Sequence, residues 1–208
     1  MAFINEKTHD LNAKIVYVGP AGSGKSTNLR WIAEKTDKDR VGDLITMNRQ
    51  EAGRTAYFDF LPIFVGKLRG FKTRVHLYSL PGNAPFNSTR RLILRGVDAL
   101  VFVADSDPRR LQDNLDALKQ ARDGLTSVGL DPAKMTMIFQ YNKRDLADAV
   151  PEADLSELLG IRSQSVFPAV ASQGEGVYDT LRRASRLVLD NILEDSRGRT
   201  NGRAQAGA

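Results

Sequence analysis

Residues Ile15 to Thr27 read IVYVGPAGSGKST, and this stretch decides the fold. An apolar run enters two glycines with four residues between them, followed at once by a lysine and two hydroxyls. Gly19 to Ser26 fits G-x-x-x-x-G-K-S, the pattern of a phosphate cradle between a buried strand and a helix. Glycines let successive backbone N–H groups converge on phosphate oxygens. The helix opening at Lys25 adds the positive end of its dipole. In this reading Gly19, Ala21, Gly22, Ser23, Gly24, Lys25, Ser26 and Thr27 bind the phosphates. Lys25 reaches the β- and γ-phosphates, and the Ser26 hydroxyl supplies a ligand to Mg²⁺.

Apolar runs and amphipathic stretches alternate outward from this loop, which predicts an α/β fold with a mostly parallel sheet and helices on both faces. Strands are predicted at Lys14 to Val18, Thr55 to Val65, Phe71 to Leu80, Ala99 to Ala104, Thr136 to Tyr141 and Ser165 to Ala169. The second and third share only GKLRG as a connection, so they pair antiparallel. Helices are predicted at Lys25 to about Lys35, Thr89 to Leu94, Pro108 to Val128, Ala153 to Leu159 and Val177 to Glu194. The last carries Leu181, Ala184, Leu187, Val188 and Ile192 on one face.

The whole chain has 208 residues, enough for one α/β domain with a single sizeable core. Its composition, 41% hydrophobic and 26% charged, is that of a globular protein. It holds no cysteine and two histidines, His9 and His76. That excludes disulfides, cysteine-ligated zinc and thiol catalysis, and leaves no basis for a histidine metal cage. The start lacks a basic-then-apolar signal and no apolar run reaches membrane-spanning length, which predicts a cytoplasmic protein without a transmembrane segment. Acids and bases alternate along the chain, so the net charge of +5 reads as a solvated surface and a basic tail rather than a specific nucleic-acid site. We divide the chain into one domain over 1–195 and a flexible basic tail over 196–208, where SRGRTNGRAQAGA has too little apolar area to order itself.

The strand MIFQY runs into Asn142-Lys143-Arg144-Asp145 at its carboxyl end, where open α/β sheets bind ligands. A carboxylate at Asp145 accepts from guanine N1–H and N2–H₂ together, a donor pair that adenine lacks. Lys143 can lay its stem along the base, and Asn142 can tie this loop to the phosphate loop. Val170-Ala171-Ser172 reads either as a second base contact, through Ala171 and Ser172, or as a plain strand-to-helix turn.

Together, GPAGSGKST, RTAYFDFLP, GFKTRVHLYSLPG, GVDALVFVADS and QYNKRDL resemble the MglA-type bacterial small GTPases, Ras-like proteins of cell polarity and gliding motility. The likeness runs to about Asn191 and implies a Ras-like G domain of the P-loop NTPase kind that binds GTP and GDP with Mg²⁺. It implies downstream effectors of the GTP form and a roadblock-type, MglB-like regulator; a GTP-dependent dimer is compatible with it. By residue type Arg54 is a surface arginine and Thr55 a strand hydroxyl. The resemblance makes Arg54 a catalytic finger supplied in cis and Thr55 the switch threonine on the γ-phosphate and metal.

Two positions depart from the Ras-like pattern. Ser79 stands where D-x-x-G would place the magnesium-linked aspartate, as is usual in this subfamily, and Gly82 ends that motif; Asp59 is a candidate helper. Asn83 follows where the subfamily carries a water-orienting glutamine, one methylene longer. That implies slow or partner-dependent hydrolysis, or else Asn83 is a turn residue without a catalytic role. A GTP-loaded scaffold with little turnover is the alternative function, and an ATPase or kinase would leave NKRD unused.

Overall fold

The computed structural model describes residues 3–5, 7–51, 54–82, 88–161 and 165–205. In chain order they form β1 (Phe3–Asn5), β2 (Asp10–Val18), α1 (Lys25–Lys35), β3 (Ile45–Glu51), β4 (Arg54–Leu68), β5 (Phe71–Ser79), α2 (Ser88–Leu94), β6 (Ala99–Asp105), a 3-10 turn (Pro108–Arg110), α3 (Leu111–Ser127), β7 (Thr136–Asn142), α4 (Glu152–Leu158), β8 (Val166–Pro168) and α5 (Val177–Gln205). The strands make one sheet in the order β3-β4-β5-β2-β6-β7-β8. β5, β2, β6, β7 and β8 run parallel to one another, and β3 and β4 add an antiparallel flank. β1 pairs antiparallel with Asp10 to Asn12 of β2, below the level at which β6 takes over at Ile15.

Burial explains the strand sequences. All of β6 and residues 15–18 of β2 are buried, because parallel strands covered on both faces need apolar side chains in both directions. One face packs Ile15, Tyr17, Val101, Val103 and Ile138 against Leu29 and Ile32 of α1 and Leu181, Ala184, Val188 and Ile192 of α5. The other packs Val16, Val18, Leu100, Phe102 and Phe139 against α3 and α4 residues such as Leu118, Leu125 and Leu155. Each fully buried Leu or Ile contributes about 1.5–3 kcal/mol. β4 and β5 pair antiparallel as predicted, and Arg69 and Gly70, with φ of 50° and 86°, give the two left-handed residues of a tight hairpin turn.

β1 and β3 lie outside the predicted strands, and β2 begins at Asp10, four residues before the predicted Lys14. The predicted helix from Pro108 divides into a 3-10 turn and α3, since Pro108 has no N–H to give and Asp107 accepts from Arg109 N at the start. α5 continues to Gln205, beyond the expected end at Glu194. Ile192 is the last buried residue on it among the described side chains. No helix among the described residues is long and apolar enough to cross a membrane.

Candidate functional site

The phosphate loop leaves β2 with φ of 142° at Gly19, 74° at Gly22 and 102° at Gly24, conformations that side chains resist. Space is also short. A Cβ at Gly19 would collide with the Val103 carbonyl oxygen of β6, and one at Gly24 with the Asn142 amide. Gly24 starts α1 without a side-chain cap, and the first turn holds no acid. The leading N–H groups of α1 therefore have no capping side chain and no acid in their own turn to compete for them, as suits an anion site.

Lys25 is 6% exposed and donates to the carbonyls of Gly19 at 3.0 Å and Pro20 at 2.6 Å. Burial, then the nearby Arg90 and Arg110 guanidinium groups, hold its ammonium down to about 8. A buried cation that leans on two carbonyls gains most from an arriving phosphate.

Across the loop, Ser26 Oγ lies 3.3 Å from Ser79 Oγ, the side chain at the end of β5. The ladder places Asp59 of β4 directly opposite Ser79 and Thr46 of β3 opposite Asp59. Thr46 Oγ1 donates to Asp59 Oδ1 at 2.9 Å, and Asp59 is buried. These residues, with Ala21, Gly22, Gly24, Lys25, Thr27 and Gly82, line a cavity of about 450 Å³. A Cβ at Gly82 would strike the Pro20–Ala21 backbone, so only glycine permits this approach. Arg54 and Thr55 open β4 opposite Glu51 and Gln50. Their side chains, and Asn83 altogether, lie outside the described residues.

On the base side, Asn142 ends β7 and joins three segments. Its Nδ2 donates to the Ser23 carbonyl at 2.7 Å, and its Oδ1 accepts from Ala171 N at 2.8 Å. Lys143 has a left-handed backbone with φ of 67°, and its ammonium meets Asp105 Oδ2 at 2.6 Å. Asp105 is held in turn by Asn114, which accepts from its N–H and donates to its carbonyl at 2.9 Å each. Asp145 and Ser172 are exposed on neighbouring turns. Arg144 anchors the first of these, donating from its backbone to the Ala169 carbonyl and from its side chain to Val150.

Three partners here were not foreseen from sequence. Asp105 fixes Lys143, Arg110 donates to the Ala21 carbonyl at 2.7 Å, and Asn28 donates to the Gly24 carbonyl at 2.9 Å. The apolar strand ALVFVAD ending in an acid, and a glutamine inside MIFQY, were the available signals.

The assembled surface offers cationic and amide donors at one end, hydroxyl and carboxylate oxygens beside them, and a free carboxylate beyond. Such a set suits a triphosphate, a hard cation and a purine with adjacent donors. No protein-family model matches the chain. It is similar to the mutual gliding-motility protein MglA of Myxococcus xanthus (strain DK1622), at 45% identity over 192 residues, covering 92% of this chain and 98% of that protein.

Proposed function

The chain belongs to the MglA family of Ras-like small GTPases, and from that premise we propose that it is a magnesium-dependent switch that binds GTP and GDP and hydrolyses the first slowly. The observation that carries this reading is the Asn142 side chain, which bonds both the phosphate loop and the Ala171 turn. One nucleotide spanning those two segments is the ligand that such a junction fits. Lys25 and the α1 amides take the phosphates, Asp145 reads guanine, and Ala171 and Ser172 border the base. Arg54 neutralises charge on the transferring phosphoryl group, and Thr55 and Gly82 sense the γ-phosphate. Loss of that phosphate releases the switch segments. The process served is polarity or gliding motility, with effectors bound in the GTP state and a roadblock-type, MglB-like protein stimulating turnover or exchange.

Small GTPases of this family use Mg²⁺, and the oxygen-only donor set around Ser26 fits it. Ser26 and Thr55 would hold the ion together with the phosphates, with Asp59 reaching it through water. Bound there, it would neutralise charge on the β- and γ-oxygens. Asp59→Asn retains an acceptor for Thr46 but removes the negative charge. It should raise the magnesium needed to retain GDP by about tenfold, in line with loss of a metal-orienting partner. A magnesium titration of GDP release checks this, and an unchanged midpoint removes Asp59 from the metal site.

Calorimetry with GTP, GDP and ATP tests the main reading, and equal affinity for ATP would refute it. Lys25→Ala should weaken both guanine nucleotides by on the order of a hundredfold or more, as loss of a charge-assisted phosphate contact implies. Its apo form should melt no lower than wild type, because the buried ammonium has no carboxylate partner within ion-pair distance among the described residues. The second reading, a GTP-loaded scaffold, is favoured by Asn83. Single-turnover hydrolysis with and without a roadblock-type partner separates the two, since a scaffold releases no phosphate in either case.

A further inference from the structure

Gln140 sits in the middle of β7 between buried apolar neighbours, fully buried itself. Its side chain shares the sheet face of Ile138, toward α1 and α5, where an aliphatic residue would need no hydrogen-bond partner. Instead it forms a reciprocal amide pair with Asn28 of α1. Asn28 Nδ2 donates to Gln140 Oε1 at 2.8 Å, and Gln140 Nε2 donates to Asn28 Oδ1 at 3.0 Å. The second Asn28 hydrogen goes to the Gly24 carbonyl at 2.9 Å, and the second Gln140 hydrogen to Thr180 Oγ1 of α5 at 3.0 Å. The Thr180 hydroxyl then donates to the Gly176 carbonyl at 2.7 Å. Every amide donor in the chain is used, and Asn28 and Thr180 are fully buried.

This is a closed line of hydrogen bonds from the phosphate loop to the far end of the turn that carries Ala171 and Ser172. The Gly24 carbonyl only accepts, so it fixes the orientation of both amides. Asn142 bonds the same two segments at Ser23 and Ala171, and Gly174 packs tightly on Trp31 of α1. The turn over 170–176 is thus fastened to α1 and the phosphate loop at three points.

We propose that Asn28, Gln140 and Thr180 are positioning residues that hold the phosphate loop and the base-side turn at a fixed separation and thereby set how long a guanine nucleotide stays bound. This rests on the nucleotide reading of the site. None of the three needs to touch the ligand. A buried polar line of this kind costs desolvation that an apolar core avoids, and it constrains geometry in a way that an apolar core does not.

The test is the release rate of fluorescently labelled GDP. Thr180→Val keeps the shape, removes the hydroxyl and should speed release by about tenfold, whereas Thr180→Ser keeps the hydroxyl and should restore the wild-type rate. A triple variant, Asn28→Leu with Gln140→Leu and Thr180→Val, replaces the line with apolar packing. It should melt near the wild-type temperature and yet release GDP at least as fast as Thr180→Val. Wild-type release from Thr180→Val, or equal release from Thr180→Val and Thr180→Ser, overturns the proposal. If the triple variant does not fold, that pair still decides. Failure of the wild-type protein to take up GDP is a separate result, and it overturns the nucleotide reading together with this inference.

Discussion

Asp145→Asn is expected to lower GTP affinity by at least about a hundredfold and to bring xanthosine triphosphate up by a comparable factor. In the proposed reading the carboxylate accepts from two adjacent guanine donors. An asparagine amide turns one acceptor into a donor and leaves it facing the guanine N2–H₂ group, with a polar pair unmade. Xanthine carries an oxygen at that place, so the same amide pairs with it. The turn itself should survive, because Arg144 fastens it through Ala169 and Val150 and Leu146 N reaches the Lys143 carbonyl at 3.2 Å. Asp145 is exposed, so the melting temperature should stay within the range of a neutral surface change. Calorimetry with both triphosphates gives the answer. Unaltered GTP binding would remove Asp145 as the base reader and return NKRD to an ordinary polar turn.

What could be read from the chain, and what could not, follows one physical division. The phosphate loop is legible because it is a demand on backbone conformation and on a single lysine, both local in sequence. The β4–β5 hairpin is legible for a similar reason: dense β-branched and aromatic residues around a two-residue turn. β3 is not, since ITMNRQE is half polar, lies at the sheet edge and leaves Ile45 and Met47 each 45% exposed. Its pairing is supplied by β4, not by its own pattern. The site divides the same way. Lys143 meets Asp105 across 38 residues, Arg110 meets Ala21 across 89 and Asn28 meets Gln140 across 112. Such partners exist only once β2, β6 and β7 lie side by side with α1 and α5 on one face. Ser79 shows the point most directly. As a bare sequence it is a missing aspartate, but the antiparallel register sets the carboxylate of Asp59 across from it. The neighbouring strand thus carries a carboxylate opposite Ser79, which no spacing rule within either strand would reveal.

Asn83→Gln should raise single-turnover GTP hydrolysis by on the order of a hundredfold while leaving GTP and GDP affinity unchanged. The two amides have the same chemistry and differ by one methylene of reach. An attacking water must lie in line with the γ-phosphorus, and a shortfall of about 1 Å at the group that orients it acts on the barrier rather than on ground-state binding. The rest of the phosphoryl-transfer machinery does not depend on residue 83. In the proposed mechanism Lys25 and the α1 amides take the phosphates and Arg54 supplies charge stabilisation from a separate strand, while Gly82 approaches the Pro20–Ala21 backbone as closely as glycine allows. The substitution therefore isolates water positioning from everything else. Arg54→Ala in the Asn83→Gln background should remove most of the gain, because oriented water and a neutralised phosphoryl group act in the same transition state and their effects are not additive. If the glutamine brings no acceleration, alone or with a roadblock-type partner present, water orientation does not limit the step. The proposed slow turnover would then be assigned to Arg54 or to the proposed metal site of Ser26 and Thr55, with Asp59 as its helper.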